Sequence, residues 1–228
     1  MAMMPYVSPE QQMKDRAEFA QKGISRGKSV VARAYADGVL FVSQNPSRTL
    51  YKVSEIYDRI AFAAVGKYNE FEQLRQAGIK VADVRGYSYS REDVTARMLA
   101  NAYASFLGTG FTDSAKPFEV ELLVAEVLDE GAELYHLRYD GFITDEAGFV
   151  AIGGSADAIT GALAQGFDPH ASLEDALSGA QQALASGEDR PIEPSQLEVA
   201  GLDRTRGRRK FFRLSADRIA QILDDANG

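Results

Sequence analysis

The order of predicted elements indicates an α+β protein built as a four-layer α/β/β/α sandwich of two mostly antiparallel sheets. Strands occur in hairpins: VVARAYA and VLFVS are separated by Asp37-Gly38, a dipeptide typical of tight hairpin turns. Helical segments occur in pairs between groups of strands, whereas a doubly wound parallel sheet requires single alternation. The run IAFAAV is apolar throughout, as expected of a strand that is covered on both faces. Two stacked sheets with helices on each outer side satisfy all three observations.

The composition is that of a globular protein, and the length predicts a single domain over residues 1–228. The chain has a formal charge of −8 and no cysteine. A general affinity for nucleic acid is therefore not expected, and thiolate metal sites are excluded. The first residues lack a basic segment followed by an apolar run, and no stretch approaches a membrane span in length. We expect a cytoplasmic protein that does not bind a membrane.

An uncharged, apolar tail over residues 1–7 precedes the first predicted helix. In SPEQ, Ser8 is expected to cap that helix and Gln11 to complete a capping box. The helix is expected to cover residues 8–23 and to end at a glycine. The rest of the chain, residues 28–228, is expected to form the sandwich.

Pairs of helices are expected after the first and the second group of strands. In the first pair, Gly78 is expected to end one helix and Ser90 to cap the next. The stripe expected to be buried on that second helix consists of Val94, Met98, Ala102 and Phe106. Residues 108–116, GTGFTDSAK, are expected to form a loop before the next strands. Helices beginning at Ser155 and Ser172 follow, and then a last hairpin and a short helix.

The stretch GISRGKS, residues 23–29, ends like a phosphate-binding loop. Gly23 and Gly27 enclose three residues, however, where that motif requires four to wrap the backbone around the phosphates. The context is also reversed, because the stretch follows a helix and opens a strand. A nucleotide-binding module is therefore a poor interpretation of these residues.

Other candidate chemistry is weak. His136 and His170 do not occur in a metal-ligand spacing, and Ser155 in IGGSADA lacks the second glycine of a nucleophile elbow. The basic run over residues 204–210 could bind phosphate, but a solvated hairpin turn is the better interpretation. The residues alone therefore predict no catalytic site, no metal site and no cofactor.

Several stretches resemble one family over essentially the whole chain. FAQKGISRGKSVVARAYADGVLFVSQNPS, YKVSEIYDRIAFAAVG and KPFEVELLVAEV, together with the order of elements, are similar to proteasome α-type subunits. The details PYVSPEQ and AKPFEVEL resemble the actinobacterial form. The resemblance implies the fold of N-terminal-nucleophile hydrolases, which agrees with the predicted sandwich.

The resemblance also implies that the subunit is not catalytic. Catalytic β-type subunits of this family begin, after self-cleavage, with a threonine at the start of the first strand, and its own amino group serves as the base. Aligning the hairpins puts Lys28 at that position and Ser29 next to it. An internal lysine cannot be this nucleophile, and a capped helix precedes it instead of a propeptide. The alternative is a self-processing hydrolase of the same fold, in which cleavage would expose Ser29.

The family's α subunits form homo-heptameric rings that cap rings of β-type subunits. The resemblance implies that the entry helices line up around the ring and that the apolar tails converge on its axis, where we expect them to form a gate. The tail residues are Met1, Ala2, Met3, Met4, Pro5, Tyr6 and Val7. The segment 109–116 resembles the constriction beneath the gate. Protein substrates, in the actinobacterial form tagged by a small protein modifier, would enter there.

The family's α rings also receive the C-terminal tails of a hexameric AAA ATPase in pockets between subunits. A pocket lysine pairs with the terminal carboxylate, and the matching residue here is Lys52. Gly27 and Gly66 match pocket glycines, which allow close approach of the backbone. A surface lysine on a strand is the simpler interpretation of Lys52, and a ring-forming protein with another partner also stays open.

Overall fold

The computed structural model describes residues 8–47, 49–188 and 192–227. Within them, ten strands form two five-stranded sheets, in the orders β10-β9-β2-β1-β8 and β3-β4-β5-β6-β7, and every pairing is antiparallel. The strands are β1 Val30–Tyr35, β2 Gly38–Gln44, β3 Val53–Tyr57, β4 Ile60–Gly66, β5 Val120–Val127, β6 Ala132–Leu137, β7 Ile143–Asp145, β8 Phe149–Ile152, β9 Leu197–Asp203 and β10 Phe211–Arg213. The predicted hairpins β1–β2 and β3–β4 are confirmed.

The described residues form six α-helices, and all but the first cover the outer faces of the two sheets, whereas the first buries Ala20 and Ile24 between the sheets. The helices are α1 Pro9–Ile24, α2 Tyr68–Ser88, α3 Ala96–Asp113, α4 Ala156–Gln165, α5 Leu173–Ser186 and α6 Ala216–Asn227. Helices α2 and α3 pack on the sheet of β3–β7, whereas α4, α5 and α6 pack on the other sheet. The predicted four-layer sandwich is therefore confirmed, with three helices rather than two on one side.

The alternation of side chains along each strand builds three apolar layers. In β2, Phe41 points between the sheets while its neighbour Leu40 points toward the helices, since successive side chains face opposite ways. Both are fully buried. The strand β4, IAFAAV, is buried on both faces as predicted, with Phe62 on the helix side and Ala63 between the sheets. The core thus continues through all four layers.

Helix α1 begins as the sequence predicts but is capped on one side only. The Ser8 hydroxyl accepts the Gln11 N–H at 3.2 Å, which satisfies one free donor of the first turn. The Gln11 side-chain amide donates to Asp15 at 2.6 Å, so the reciprocal half of the expected capping box is absent. The helix ends at Ile24, one residue later than expected.

The prediction that Gly78 ends a helix is wrong. Helix α2 continues through it to Ser88, because the glycine serves packing rather than termination. A side chain there would overlap the Tyr103 hydroxyl of α3. Ser90 caps a short 3-10 turn over Arg91–Asp93, and Thr95 caps α3.

The predicted stripe of α3 is confirmed only in part. Val94 is buried but precedes the helix, Met98 packs partly buried against the core, and Phe106 is 53% exposed. The buried side of α3 consists of Ala96, Leu99, Ala100, Tyr103, Leu107 and Gly110.

Residues 108–113 were expected to belong to the loop of residues 108–116, and this is wrong because they belong to α3. The helix runs to Asp113, and only residues 114–119 separate it from β5. Arg16 of α1 stabilises this end, because its guanidinium donates to the carbonyls of Phe111 at 2.7 Å and Ser114 at 2.6 Å. A cation at a helix C-terminus also interacts favourably with the helix dipole.

The basic run over residues 204–210 lies in the turn of the β9–β10 hairpin, as expected. Arg208 and Arg209 pair with Asp58 at 3.4 Å and Glu55 at 2.6 Å, across the end of the sandwich. The arginines therefore connect the hairpins of the two sheets. The apolar tail of residues 1–7 lies outside the described residues. Among the described helices, none is long and apolar enough to cross a membrane.

We expect Gly78→Ala to destabilise the protein, because the added methyl group must push α2 away from Tyr103. Overpacking of this kind costs about 1–3 kcal/mol, which exceeds the roughly 1 kcal/mol by which alanine favours a helix. Urea unfolding of the purified chain measures the difference in the free energy of unfolding.

Gly161→Ala is the matched control. Gly161 also lies within a helix, α4, but no atom lies within 4 Å of the position of the added carbon. We expect this variant to be neutral or slightly more stable. Equal effects of the two substitutions would contradict the packing role of Gly78.

Candidate functional site

The segment that joins α1 to β1 holds the residues aligned with a nucleophile position. Ser29 is 5% exposed, and its hydroxyl accepts the Ser155 N–H at 3.4 Å. Its carbonyl accepts the Ser43 hydroxyl at 2.9 Å. The backbone continues without interruption from α1 through Lys28 into β1, so the strand starts after a helix and not after a free amine.

A cleft of about 1160 Å³ opens beside this segment, and His136 is one of the residues that line it. The pKa of His136 is lowered to about 4, mainly by burial and further by Arg138. Its ring nitrogens lie 4.0 Å from Glu121 and 3.7 Å from Glu146, beyond hydrogen-bonding distance. At neutral pH, His136 is thus an uncharged, half-buried side chain. In the described residues, no group of three or more histidines and carboxylates is arranged to hold a metal ion.

Lys52 directly precedes β3, and its ammonium group is held by backbone carbonyls. The Nζ atom donates to Lys28 O at 2.6 Å and to Gln44 O at 3.3 Å. The side chain is half-buried. Because both acceptors are neutral, these bonds position the charge without neutralising it.

Burial lowers the pKa of Lys52 to about 8, since removal from water disfavours the charged form. Lys28 lowers the pKa further, whereas Glu198 and Glu188 raise it. The ammonium form is therefore present at neutral pH and is lost as the pH rises above about 8. An anion that binds beside Lys52 would raise this pKa and so favour the ammonium form.

The backbone at Lys52 is positioned by a buried carboxylate that sequence reasoning missed. Glu198 of β9 accepts the N–H groups of Lys52 and Val53, both at 3.0 Å. The same carboxylate accepts Asn45 Nδ2 at 2.6 Å and Arg213 Nη1 at 2.7 Å. The sequence signal for this network is the position of Glu198 between Leu197 and Val199 in an apolar strand, where a charged side chain is unexpected.

The two predicted glycines meet at the same place. A side chain on Gly27 would come within 2.7 Å of Val65 and 3.3 Å of the Gly66 nitrogen. Gly66 has a φ of +114°, and a side chain there would overlap the Glu119 carbonyl. Both positions therefore require glycine. Since Lys28 follows Gly27 and its carbonyl holds Lys52, the structure brings Lys52, Gly27 and Gly66 together.

A pocket of about 670 Å³ is lined by both glycines, whereas Lys52 is not one of its lining residues. Its lining residues are Phe19, Lys22, Gly23, Arg26, Gly27, Gly66, Lys67, Lys116 and Glu119. Lys116 is paired with Glu119 at 2.7 Å and with Glu70 at 2.6 Å. Lys22 and Arg26 make no ion pair within the described part of the chain, so the pocket is cationic. The sequence signal for this cationic pocket is the series of basic residues in KGISRGK.

The predicted gate residues, Met1 to Val7, lie outside the described residues, so the structure does not test them.

The fold of the described residues defines a class of protein. Two stacked antiparallel sheets with helices on both outer faces form a sandwich of the N-terminal-nucleophile hydrolase type, in which a helix leads into the first strand.

Comparison with known proteins identifies the family. The family description "Proteasome subunit" matches residues 24–202, and the chain belongs to this family. It is 58% identical over 231 residues to the proteasome subunit alpha of a Nocardioides species, covering 99% of this chain and 91% of the relative. It is 54% identical over 230 residues to that of Thermobifida fusca (99% and 92%). Identity to that of Kineococcus radiotolerans is 58% over 228 residues (96% and 96%). The predicted α-type, actinobacterial resemblance is thus confirmed.

We expect Glu198→Gln to destabilise the protein by about 3–5 kcal/mol, because it leaves the Arg213 guanidinium without its buried partner. A neutral amide also presents an N–H group to at least one of the donors around it. Urea unfolding measures the loss.

Glu193→Gln is the control on the same segment, since Glu193 is exposed. We expect a change within about 0.5 kcal/mol. If the two variants unfold at the same urea concentration, the carboxylate network does not carry the stability assigned to it.

Proposed function

We propose that this chain is the non-catalytic α subunit of a proteasome core particle. It forms a homo-heptameric outer ring, gates substrate entry to the chamber of the β-type subunits, and docks the C-terminal tails of a hexameric AAA ATPase. The observation that carries this proposal is the Lys52 ammonium, half-buried and held by two neutral carbonyls beside Gly27 and Gly66. Assembly with other proteasome subunits follows from the family itself.

The absence of catalysis is supported by the start of β1. A terminal threonine nucleophile uses its own amine as the base, and here the corresponding residue is Lys28 within a continuous chain. The alternative, cleavage that exposes Ser29, would have to separate α1 from a sandwich in which its residues Ala20 and Ile24 are buried in the core. The structure gives no specific observation in favour of this alternative.

Tail docking is supported by electrostatics at Lys52. A terminal carboxylate supplies the direct ionic partner that this ammonium lacks among the described residues, and a charge-assisted hydrogen bond contributes about 1.5–3 kcal/mol. The cationic pocket beside it extends the attraction to the rest of the tail. One tail binds weakly, so several tails of one ATPase act together through effective concentration.

Assembly into a ring is supported by exposed apolar side chains. Tyr87 is 93% exposed, Tyr89 70% and Val84 65%, all at the same end of α2. Exposed apolar groups that are clustered mark contact surfaces between chains. A ring of identical subunits requires a head-to-tail interface that closes on itself. The cytoplasmic location and the modifier-tagged substrates expected above stay part of the proposal.

We expect Lys52→Ala to abolish ATPase-dependent degradation of a folded protein while leaving small-peptide hydrolysis by the assembled particle intact. The reason is that the variant removes the cation for the tail carboxylate and leaves the β-type subunits unchanged. The two activities are measured on the same particle preparation, co-assembled with β-type subunits.

Lys14→Ala is the control, because Lys14 is an exposed lysine on α1 in an i,i+4 pair with Glu18. Retained ATPase-dependent degradation in Lys52→Ala would contradict the docking role. Loss of both activities would indicate misassembly instead.

In the unsubstituted particle, binding of the tails is also expected to weaken as the pH rises above about 8, because Lys52 without a bound tail then loses its proton.

We expect deletion of residues 2–7 to raise the rate of peptide hydrolysis by the assembled particle. The deletion removes apolar residues that we propose to close the axial pore. Hydrolysis of a fluorogenic peptide is compared with that of the full-length particle, and an unchanged rate would exclude a gate made of these residues.

A further inference from the structure

An ion pair lies directly beside Lys52. Lys28 Nζ and Glu188 Oε2 are 2.5 Å apart, and their side chains are 48% and 25% exposed. The same Lys28 provides the backbone carbonyl that holds the Lys52 ammonium. Two lysine side chains and one glutamate therefore share one small area of the surface.

The glutamate comes from a distant part of the chain and is presented by a fixed turn. Gly187, which precedes it, is the C-cap of α5, and its carbonyl accepts the Ser155 hydroxyl at 3.0 Å. A side chain at position 187 would come within 2.7 Å of Ser155 and 2.9 Å of Ile159. This close packing leaves little freedom to the backbone that carries Glu188.

The charges act on one another. Lys28 opposes the charged form of Lys52, whereas Glu188 favours it. Without Glu188, Lys28 would lose its ion-pair partner while still opposing the charge of Lys52. An incoming carboxylate would meet the same two lysines, of which Lys28 is already paired with Glu188.

We propose that Lys28 is a second carboxylate-binding lysine of the docking site, and that Glu188 occupies it as an internal competitor until a tail carboxylate displaces it. This inference rests on the proposed docking function. Glu188 then lowers the affinity of every pocket for single tails. A partly exposed ion pair is weak, which allows the tail to displace it.

The test measures binding of a short, fluorescently labelled synthetic peptide with the C-terminal sequence of the cognate hexameric ATPase to the assembled particle. The same peptide with an amidated C-terminus reports binding that does not depend on the carboxylate. We expect Glu188→Gln to tighten carboxylate-dependent binding by about two- to fivefold. Lys28→Met is expected to weaken it by about five- to tenfold.

The double variant decides the mechanism. If Glu188 competes at Lys28, Glu188→Gln has no further effect in the Lys28→Met particle. Glu174→Gln is the matched control, because Glu174 is also a glutamate in a solvent-exposed pair, with Arg218 at 3.1 Å, and lies in the first turn of α5. It removes the same charge at the other end of the helix, and we expect no change in affinity.

Two results would overturn the inference: unchanged or weaker binding to Glu188→Gln, or equal tightening with and without Lys28. Lys52→Ala separates this failure from that of the proposed function. If Lys52→Ala loses carboxylate-dependent binding while Glu188→Gln behaves like the unsubstituted particle, only the competitor role is wrong. If Lys52→Ala binds normally, the docking function itself is wrong.

Discussion

The Glu198 carboxylate connects the two sheets at the point on which the site depends. It is 6% exposed and accepts hydrogen bonds from Asn45, after β2, and from Arg213 of β10, both associated with one sheet. It also accepts the backbone N–H groups at the start of β3, in the other sheet. A buried carboxylate without these partners would cost several kcal/mol. Because β3 starts at Val53, the network ties the start of β3 to β9 of the other sheet and so fixes the position of Lys52.

The path of the chain from α1 to β1 determines where Gly27 and Lys28 of the candidate site lie. Helix α1 is anchored by Ala20 and Ile24 in the layer between the sheets, and by Arg16 at the end of α3. The chain must then turn into β1 within residues 25–29, which is possible because Gly27 can approach Val65 and Gly66 closely. The same packing that keeps a free amine away from β1 puts the Lys28 carbonyl against Lys52. The two features on which the proposals of a non-catalytic subunit and of tail docking rest thus have one structural origin.

Local signals in the sequence were sufficient for the hairpins, the Ser8 cap and the doubly covered strand β4. The errors arose where tertiary contacts override local preference. Gly78 and Gly110 lie inside helices because Tyr103 and Phe118 occupy the space that side chains would need, and sequence alone does not show which aromatic ring lies opposite a glycine. The site was predicted only through family resemblance. Glu198 and Glu188 are separated from Lys52 by more than a hundred residues, so no spacing pattern could associate them with it.

The charge left at the site follows from how its neighbours are paired. The Glu198 carboxylate is already satisfied by Arg213 and by amide groups, and Glu188 is paired with Lys28. Lys52 is therefore left with carbonyl oxygens, which orient an ammonium but do not cancel its charge. In a half-buried position water screens this charge less than on the open surface. Among the described residues, no carboxylate pairs directly with this fixed ammonium. For this reason we propose a chain-terminal carboxylate, which a flexible protein tail can deliver, as its partner.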